Sequence, residues 1–367
     1  MVARYGRLAR VVVPSVVLAT AVTGCATGGD RPVPLTVSRG QIGIALPTTK
    51  SPRWIADGDN MVHQLDLLGY TTDLQYAEDD VDKQIAQLDG MVAQNVKALV
   101  VGSIDGSKLK DVLQKAAAAK IPVIAYDRLL RDTPNVDYYA TFDNFRVGVL
   151  QAETIVAKLK LADRAGPFTV ELFAGSPDDN NAHVFFAGSM SVLKPYLAAG
   201  KLVVGSGQTA FEDIATPRWD GATAQKRMEG LLAGPDAKKR IDAVLSPYDG
   251  ISRGVITALK DVGYGAGGRP LPVVTGQDAE LDSVKLIVGG QQTETVYKDT
   301  RELAKVAVQM VDSLAKGGKP AVNDTSQYHN GVKAVPTFLL QPVNVDKSNY
   351  QRVLIDGGYY AANQLAA

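Results

Sequence analysis

From residue 41 onward, short apolar segments rich in β-branched residues alternate with longer amphipathic segments. This alternation predicts βαβ units with right-handed crossovers, and therefore an α/β protein with parallel sheets. The predicted strands form two series. The first series is 41–46, 72–76, 98–101, 123–126 and 138–141, and the second is 168–172, 202–204, 242–245, 272–274 and 293–297. Two such series with helices on both faces predict two similar Rossmann-like lobes.

Two further elements follow the second series, so the chain must return to lobes that are already built. They are a helix over 299–314 and a late strand over 332–339. We therefore expect three crossings between the lobes, near 141–144, 298–299 and 326–330. A few residues at such crossings can act as a hinge. The predicted lobes are 40–142 with 299–327, and 143–298 with 328–367.

The amino terminus has the composition of an export signal. Arg4, Arg7 and Arg10 precede an apolar run over 11–22 that is interrupted by a proline and two hydroxyl residues. The run is too short to cross a bilayer, which takes about 20 apolar residues. A basic head followed by a short apolar body indicates a signal peptide, here over 1–24.

The signal ends in Val22-Thr23-Gly24-Cys25, which resembles the lipobox of bacterial lipoproteins. This resemblance implies that Cys25 is acylated and anchors the protein to the outer face of the cell membrane, in the periplasm or at the cell surface. The alternative is an incidental small residue after a signal. Cys25 is the single cysteine of the chain, so an intrachain disulfide is excluded. Residues 25–39 are glycine- and proline-containing and predict a tether.

The charge balance argues against a nucleic-acid partner. The chain has 39 basic and 39 acidic residues, and the signal carries three of the basic ones. The mature protein is therefore slightly acidic and has no basic footprint for nucleic acid. With 46% hydrophobic and 21% charged residues, the composition is that of a soluble globular protein.

Polar loops follow six predicted strands, and this is the strongest functional signal. The loops are Thr48 to Trp54, Asp127-Arg128, Pro177 to Asn181, Tyr248-Asp249, Gln277-Asp278 and Lys298. In open parallel sheets the ligand crevice lies outside the carboxyl ends of the strands, so these side chains are expected to converge. Planar polar groups that pair with hydroxyls, together with a flat apolar surface, are suited to a sugar ring. Trp54 and Trp219, the two tryptophans, can provide that surface.

Structural roles remain open for the same residues. Either tryptophan can be a half-buried core aromatic. Asp127 and Arg128 can form a surface salt bridge, and Asp278 and Lys298 can be solvated loop ends. Residues 177–181 are expected to contain at least one helix cap and at least one ligand contact, and Asp249, before a helix, can cap backbone amides.

Metal and nucleotide sites are not predicted. His63, His183 and His329 are far apart in sequence and have no cysteine partner, so neither a metal nor a cofactor is expected. Gly263, Gly265 and Gly268 match G-x-G-x-x-G, but a dinucleotide fingerprint follows a strand and opens a helix. These glycines follow a predicted helix instead, and we interpret them as a helix stop and turn.

Several of these segments together resemble the periplasmic sugar-binding proteins of the xylose-binding type, especially the multiple-sugar-binding receptors, over about 42–360. The matching motifs are Trp54-Ile55-Ala56-Asp57-Gly58-Asp59-Asn60, Ala125-Tyr126-Asp127-Arg128, Ala140-Thr141-Phe142-Asp143-Asn144, Gly175-Ser176-Pro177-Asp178-Asp179-Asn180-Asn181 and Thr275-Gly276-Gln277-Asp278-Ala279. The resemblance implies a type I periplasmic-binding-protein fold, with two lobes joined by three strands. It implies a monomeric solute-binding protein that holds an aldose such as glucose, galactose, arabinose or xylose and delivers it to an ABC transporter permease.

Carried over residue by residue, the resemblance implies the following ligand contacts: Arg53, Trp54, Asp127, Arg128, Asp179, Asn181, Trp219, Asp278 and Lys298, with Tyr248 and Asp249 as secondary candidates. Receptors of this kind also meet a membrane sensor, which implies a sensor kinase or chemoreceptor as a further partner and a role in chemotaxis. Tyr248 stands where xylose-specific members have Asn, which argues against narrow pentose specificity. The lipobox argues against a freely diffusing form.

Two other function classes are weighed against a sugar receptor. An exported sugar hydrolase could use paired carboxylates such as Asp127 and Asp278, and a fold alone does not exclude it. The ligand domain of a repressor shares the two-lobe architecture. A repressor, however, needs a DNA-reading helix-turn-helix before the body, where this chain has an export signal.

Overall fold

The computed structural model describes residues 38–365, which form two α/β lobes. The signal peptide, Cys25 and nearly all of the predicted tether lie outside the described residues. Within the described part, no helix combines the length and apolar character needed to cross a membrane.

The first lobe is a six-stranded parallel sheet in the order β11-β5-β4-β3-β1-β2. Its elements are β1 (Gln41–Leu46), α1 (Pro52–Leu67), β2 (Thr71–Tyr76), α2 (Val81–Ala93), β3 (Ala98–Val101), α3 (Lys110–Ala118), β4 (Val123–Tyr126), β5 (Tyr138–Phe142), α10 (Thr300–Ala315) and β11 (Thr337–Leu340). One face of the sheet packs on α1 and α10, and the other packs on α2 and α3. β1 lies between β2 and β3, so the strand order reverses there and opens a crevice beyond the strand ends.

The second lobe has a four-stranded parallel sheet in the order β7-β6-β8-β9, and an antiparallel pair formed by β10 and β12. Its elements are α4 (Asn144–Leu159), β6 (Phe168–Leu172), α5 (Asn180–Ala198), β7 (Leu202–Val204), α6 (Phe211–Ile214), α7 (Gly221–Ala233), β8 (Ala243–Leu245), α8 (Asp249–Asp261), β9 (Val273–Val274), α9 (Leu281–Val288), β10 (Glu294–Tyr297), β12 (Val343–Asp346) and α11 (Ala362–Leu365). A 3₁₀ turn covers Pro217–Trp219, and a π turn covers Gln351–Ile355.

Local sequence explains several element boundaries. An aspartate caps each of four helices, where its side chain accepts a hydrogen bond from a backbone N–H that the first helical turn leaves free. These are Asp80 at α2, Asp143 at α4, Asp220 at α7 and Asp299 at α10.

α4 and α5 pack closely because each has a glycine at the contact. A Cβ at Gly148 would lie 1.9 Å from the carbonyl oxygen of Phe185, so a larger residue has no room there.

The G-x-G-x-x-G match is a helix stop, as predicted. Gly263, Gly265 and Gly268 follow α8 and have φ values of 89°, 86° and 81°. Glycine adopts this left-handed region without the penalty that a Cβ brings. The segment then leads into β9.

The expected position of the third crossing is wrong. Residues 326–330 belong to the first lobe, where Tyr328 packs in the core and the side-chain amide of Asn330 donates to the carbonyl oxygens of Leu130 and Thr133. β11 then pairs in parallel with β5, and the chain crosses at 341–342, just before β12 pairs with β10. The assignment of 328–367 to the second lobe is therefore wrong for 328–340. The late strand is also shorter than the predicted 332–339, because 332–336 lie before it and contain bends and an isolated bridge between Ala334 and His329.

Candidate ligand-binding site

One cavity of about 240 Å³ lies between the lobes at the carboxyl ends of both parallel sheets. Residues of the first lobe, residues from the loops of the second lobe, and Lys298 at a crossing all line it. The sequence-predicted residues that line it are Arg53, Trp54, Asp127, Arg128, Asp179, Asn181, Trp219, Tyr248, Asp278 and Lys298. The convergence expected from the strand-end loops is therefore found.

Arg53 is the centre of the charged part of the cavity. It is buried at the start of α1, and its guanidinium contacts Asp57 at 3.0 Å and Asp127 at 2.5 Å. Asp57 lies four residues further along α1, on the same helix face, and also accepts a hydrogen bond from the Tyr126 hydroxyl. Arg53 is thus fixed between two carboxylates.

Lys298 links the charges of the two lobes. Its ammonium group lies 3.1 Å from Asp278 Oδ1 and 3.7 Å from Asp127 Oδ2, and its side chain is buried. Burial alone would raise the pKa of Asp127, but attraction to Arg53, Lys298 and Arg128 together outweighs it and lowers that pKa. Asp127 is therefore a carboxylate that accepts hydrogen bonds throughout the physiological range.

Asp57 behaves in the opposite way, although it contacts the same arginine. Burial raises the pKa of Asp57 to about 7, because Arg53 and Tyr126 offset only part of the desolvation penalty. The two carboxylates that flank Arg53 therefore titrate in different pH ranges.

Asp179 and Asn181 join the second lobe to Asp127-Arg128. One Asp179 oxygen caps α5 through the Asn181 N–H, and the other pairs with Arg128 Nε at 2.8 Å. The side-chain amide of Asn181 donates to the Asp127 carbonyl oxygen at 2.9 Å. Asp179 is thus both a helix cap and a cleft residue, whereas the sequence left these roles as alternatives.

The two tryptophans have different environments. Trp54 is buried in the first-lobe core, and the guanidinium groups of Arg53 and Arg128 lie 4.8 and 5.3 Å from its ring. Trp219 is half-buried in the second lobe, and Phe185 and Tyr248 contact it edge to face. A tryptophan from each lobe therefore reaches the cavity.

Asp249 does not line the cavity and instead organises the loop behind it. It is fully buried, and its carboxylate accepts hydrogen bonds from the Glu280 N–H, the Thr295 hydroxyl and the Gln292 amide. Of the two roles that the sequence left open for Asp249, its contacts are those of a residue that caps backbone and loop groups. Burial, followed by repulsion from Glu280, raises the pKa of Asp249.

Sequence reasoning missed several residues of the site. Phe185 lines the cavity beside Trp219, and its spacing of four residues from Asn181 on α5 was an available signal. Arg218 and Arg253 also line it. Glu280 accepts hydrogen bonds from Ser51 of the first lobe and from Tyr248, a role without a local sequence signal. Within residues 38–365, no group of three or more His, Cys, Asp or Glu side chains is placed to hold a metal ion.

Comparison with known proteins identifies the family. The model of the periplasmic binding protein domain matches residues 42–319. The chain belongs to the periplasmic binding protein family. It is 59% identical to the "Multiple sugar-binding periplasmic receptor ChvE" of Rhizobium radiobacter, over 89% of this chain and 92% of that protein. It is 57% identical to the "Multiple sugar-binding periplasmic protein SbpA" of Azospirillum brasilense, over 97% of each chain.

A solved structure supports the same assignment. An ABC transporter solute binding protein from Clostridium phytofermentans, with bound β-D-glucose, is 46% identical and superposes with a TM-score of 0.85, over 89% of this chain and all of that one. The two-lobed type I fold expected from the sequence is confirmed. These relatives are binding proteins and receptors, so the family is one of solute-binding proteins, not enzymes.

Proposed function

We propose that this protein captures monosaccharides outside the cytoplasm by closing its two lobes around them, and delivers them to an ABC importer. The ligands are neutral aldoses such as glucose, galactose, arabinose and xylose. ChvE and SbpA are named as multiple-sugar-binding proteins, and the clostridial protein was solved with glucose, which supports this ligand class.

The observation that carries the proposal is the composition of the interlobe cavity that the predicted residues line. Its volume of about 240 Å³ is below the range of about 300–1,000 Å³ that is typical of drug-sized ligands. Carboxylates, amides, guanidinium groups and ammonium groups line it, and indole rings provide apolar surface. A sugar presents neighbouring hydroxyls around its edge and C–H groups on its face, so this lining is complementary to one sugar ring.

Specificity arises from the orientation of the polar groups. Asp127 is fixed by Arg53 and Lys298, so it cannot turn to follow a misplaced hydroxyl. A wrong epimer leaves a buried polar group without a partner, at a cost of about 1–3 kcal/mol. The Trp219 indole N–H is buried and has no hydrogen-bond partner among residues 38–365, so it is an available donor to a sugar oxygen.

A sugar hydrolase is the less favoured alternative. Its general acid would have to hold a proton near neutral pH. Asp127 does not hold a proton near neutral pH, because its neighbouring cations lower its pKa. Asp278 lies 3.1 Å from the Lys298 ammonium group. Both carboxylates therefore serve as hydrogen-bond acceptors in the proposal.

The proposal extends to location and partners. Export and acylation at Cys25 would hold the receptor, as a monomer, at the outer face of the membrane next to its permease. The closed, sugar-loaded form would also be recognised by a membrane sensor kinase or chemoreceptor. Mass spectrometry of the membrane-extracted protein tests the acyl chains, because an unmodified Cys25 would contradict the anchor.

Calorimetric titration tests the ligand class. The mature protein is titrated with D-glucose, D-galactose, L-arabinose, D-xylose and glucuronate, and the sugars are recovered and checked for chemical change. We expect binding of at least one neutral aldose, recovered unaltered. Asp278→Ala should weaken binding at least about tenfold, consistent with a charged hydrogen bond, whereas Asp282→Ala, which does not line the cavity, should bind normally. Absence of heat with every aldose would overturn the proposal.

A further inference from the structure

The loop that carries Asp278 has an unfavourable backbone conformation. Asp278 and Ala279 follow each other with φ values of 87° and 48°, in the left-handed region that residues with a Cβ rarely adopt. Such a conformation persists only where the surrounding structure holds it. The contacts of this turn therefore determine where the Asp278 carboxylate points.

Three consecutive backbone amides of the turn are held from within the second lobe. The Asp278 N–H donates to the Val296 carbonyl oxygen at 2.9 Å, and the Ala279 N–H donates to the Thr295 hydroxyl at 3.0 Å. The Glu280 N–H donates to the buried Asp249 carboxylate at 2.8 Å. β10 and Asp249 thus accept hydrogen bonds from the N–H groups of the turn. The carbonyl oxygens of the turn need hydrogen-bond donors from other segments.

The carbonyl oxygen of Ala279 is fixed by the carboxyl-terminal segment. It accepts a hydrogen bond of 2.9 Å from the Tyr360 hydroxyl. Burial raises the pKa of Tyr360, so the hydroxyl stays protonated and remains a donor. Tyr360 lies beyond residue 319, where the match to the family model ends.

The carboxyl-terminal segment is itself anchored beside the site. Arg301 donates to the carbonyl oxygens of Gly357 and Gly358 at 3.1 and 2.8 Å. Tyr359 packs on Tyr297, the residue before Lys298, with ring centroids 4.8 Å apart. The segment therefore contacts the chain next to both Asp278 and Lys298, whose side chains are paired in the cavity.

We propose that Tyr360 is a positioning residue for the sugar site, which holds the Asp278-Ala279 turn so that the Asp278 carboxylate faces the cavity. This role rests on the proposed function in taking Asp278 as a ligand contact. Without the Tyr360 hydroxyl, the turn relaxes toward ordinary backbone conformations. The fraction of molecules with a binding-ready Asp278 then falls, and the apparent dissociation constant rises in inverse proportion.

The experiment compares Tyr360→Phe with Tyr359→Phe in the mature protein. Each change removes one hydroxyl and keeps the ring, and among residues 38–365 the Tyr359 hydroxyl makes only a 3.5 Å contact with Thr300. Hydrogen exchange of the sugar-free protein over 277–281 reports on the turn, and calorimetry with D-glucose reports on binding. We expect Tyr360→Phe to speed exchange over 277–281 and to weaken sugar binding about three- to tenfold. Tyr359→Phe should do neither.

A double-mutant cycle separates positioning from a general loss of stability. If Tyr360 acts through Asp278, then Tyr360→Phe causes no further loss of affinity in the Asp278→Ala background. Unchanged exchange in Tyr360→Phe, or an undiminished loss of affinity in that background, would overturn the proposal. If Asp278→Ala alone leaves the sugar affinity unchanged, Asp278 is not a ligand contact, and the proposed effect of Tyr360 on affinity fails with it. Hydrogen exchange over 277–281 in Tyr360→Phe still tests separately whether Tyr360 holds the turn.

Discussion

The two walls of the cleft are built on different principles. In the first-lobe wall, Arg53 is held by Asp57 and Asp127, and the Asp127 carbonyl oxygen accepts hydrogen bonds from the Tyr139 and Thr141 hydroxyls. These groups lie on α1, on β5 and directly after β4, and they form a buried network that is part of the lobe's own structure. The first wall is therefore set by ion pairs and hydrogen bonds before a ligand arrives.

The second-lobe wall depends more on packing. Trp219 lies in a short turn where it and Arg218 have φ values of 56° and 57°, and its ring rests against Gly175. Phe185 and Tyr248 support the ring through edge contacts. Changes in the first wall should thus impair folding and binding together, whereas changes in the second should impair binding with less effect on folding.

The largest effect is expected from Asp127→Ala. The change leaves Arg53 and Lys298 with fewer counter-charges in a buried site, and breaking one partner of a buried pair costs about 3–5 kcal/mol. We expect a loss of that order in the free energy of unfolding, measured by urea denaturation, and no measurable sugar binding. If Asp127→Ala lowered the free energy of unfolding by less than about 1 kcal/mol, the first wall would not be part of the folded structure in the way proposed.

Asp89→Ala is the matched control for Asp127→Ala. Asp89 pairs with Lys115 at 2.8 Å, but both side chains are solvent-exposed. Exposed pairs contribute about 0–1 kcal/mol, so this variant should unfold almost like the parent protein. Its sugar affinity should be unchanged, since Asp89 does not line the cavity.

A smaller effect on stability, with a clear effect on binding, is expected from Gly175→Ala. A Cβ at this position would lie 2.0–2.4 Å from three atoms of the Trp219 ring, so the indole must move. Loss of its stacking surface should weaken sugar binding about tenfold, from an aromatic contribution of about 0.5–1.5 kcal/mol. Calorimetry measures the affinity, and urea denaturation checks that the lobe stays folded.

Gly230→Ala is the control for Gly175→Ala. Gly230 lies within α7, and a Cβ there meets no atom within 4 Å in the described structure. Alanine is the better helix former by about 1 kcal/mol, so this variant should be slightly more stable and bind sugar normally. If Gly175→Ala instead destabilised the protein as much as Asp127→Ala, the second wall would be as structural as the first.

The sequence predicted the cleft residues well because parallel strands all deliver their carboxyl ends to one edge. Asp127, Asp278 and Lys298 were placed at the cleft because each follows the end of a predicted strand. The role of Asp249 stayed open because it begins α8, and the same position can face the cavity or the loop behind it. The hydrogen bonds of that carboxylate, to Thr295 and Gln292, depend on tertiary placement.

The missed third crossing has a similar cause. β12 is the short sequence VNVD, whose alternating polar residues make it a weak strand by composition. Its pairing with β10 creates the strand, and that contact is long-range. Glu280 was missed for the same reason, because its partner Ser51 lies 229 residues away in the chain.

The last prediction concerns pH and the two carboxylates that flank Arg53. In the folded protein the pKa of Asp57 is raised from 3.8 to about 7, so the folded state holds this proton more tightly. The resulting stabilisation is complete below pH 3.8 and is lost as the pH rises through 7. The pKa of Asp127 is lowered instead, so its contribution is present above its ordinary value and is lost only in acid.

Asp57→Asn tests this prediction because an amide imitates the protonated carboxyl at every pH. The melting temperatures of the parent and of Asp57→Asn are measured from about pH 5 to about pH 8. Over this range the melting temperature of the parent should fall relative to that of Asp57→Asn, by about 2–4 °C for each kcal/mol of folding free energy that is lost. The exposed Asp89→Asn should follow the parent at every pH. Parallel melting curves for parent and Asp57→Asn would mean that Asp57 is ionised throughout this range, and that the Arg53 network holds both of its carboxylates in the charged form.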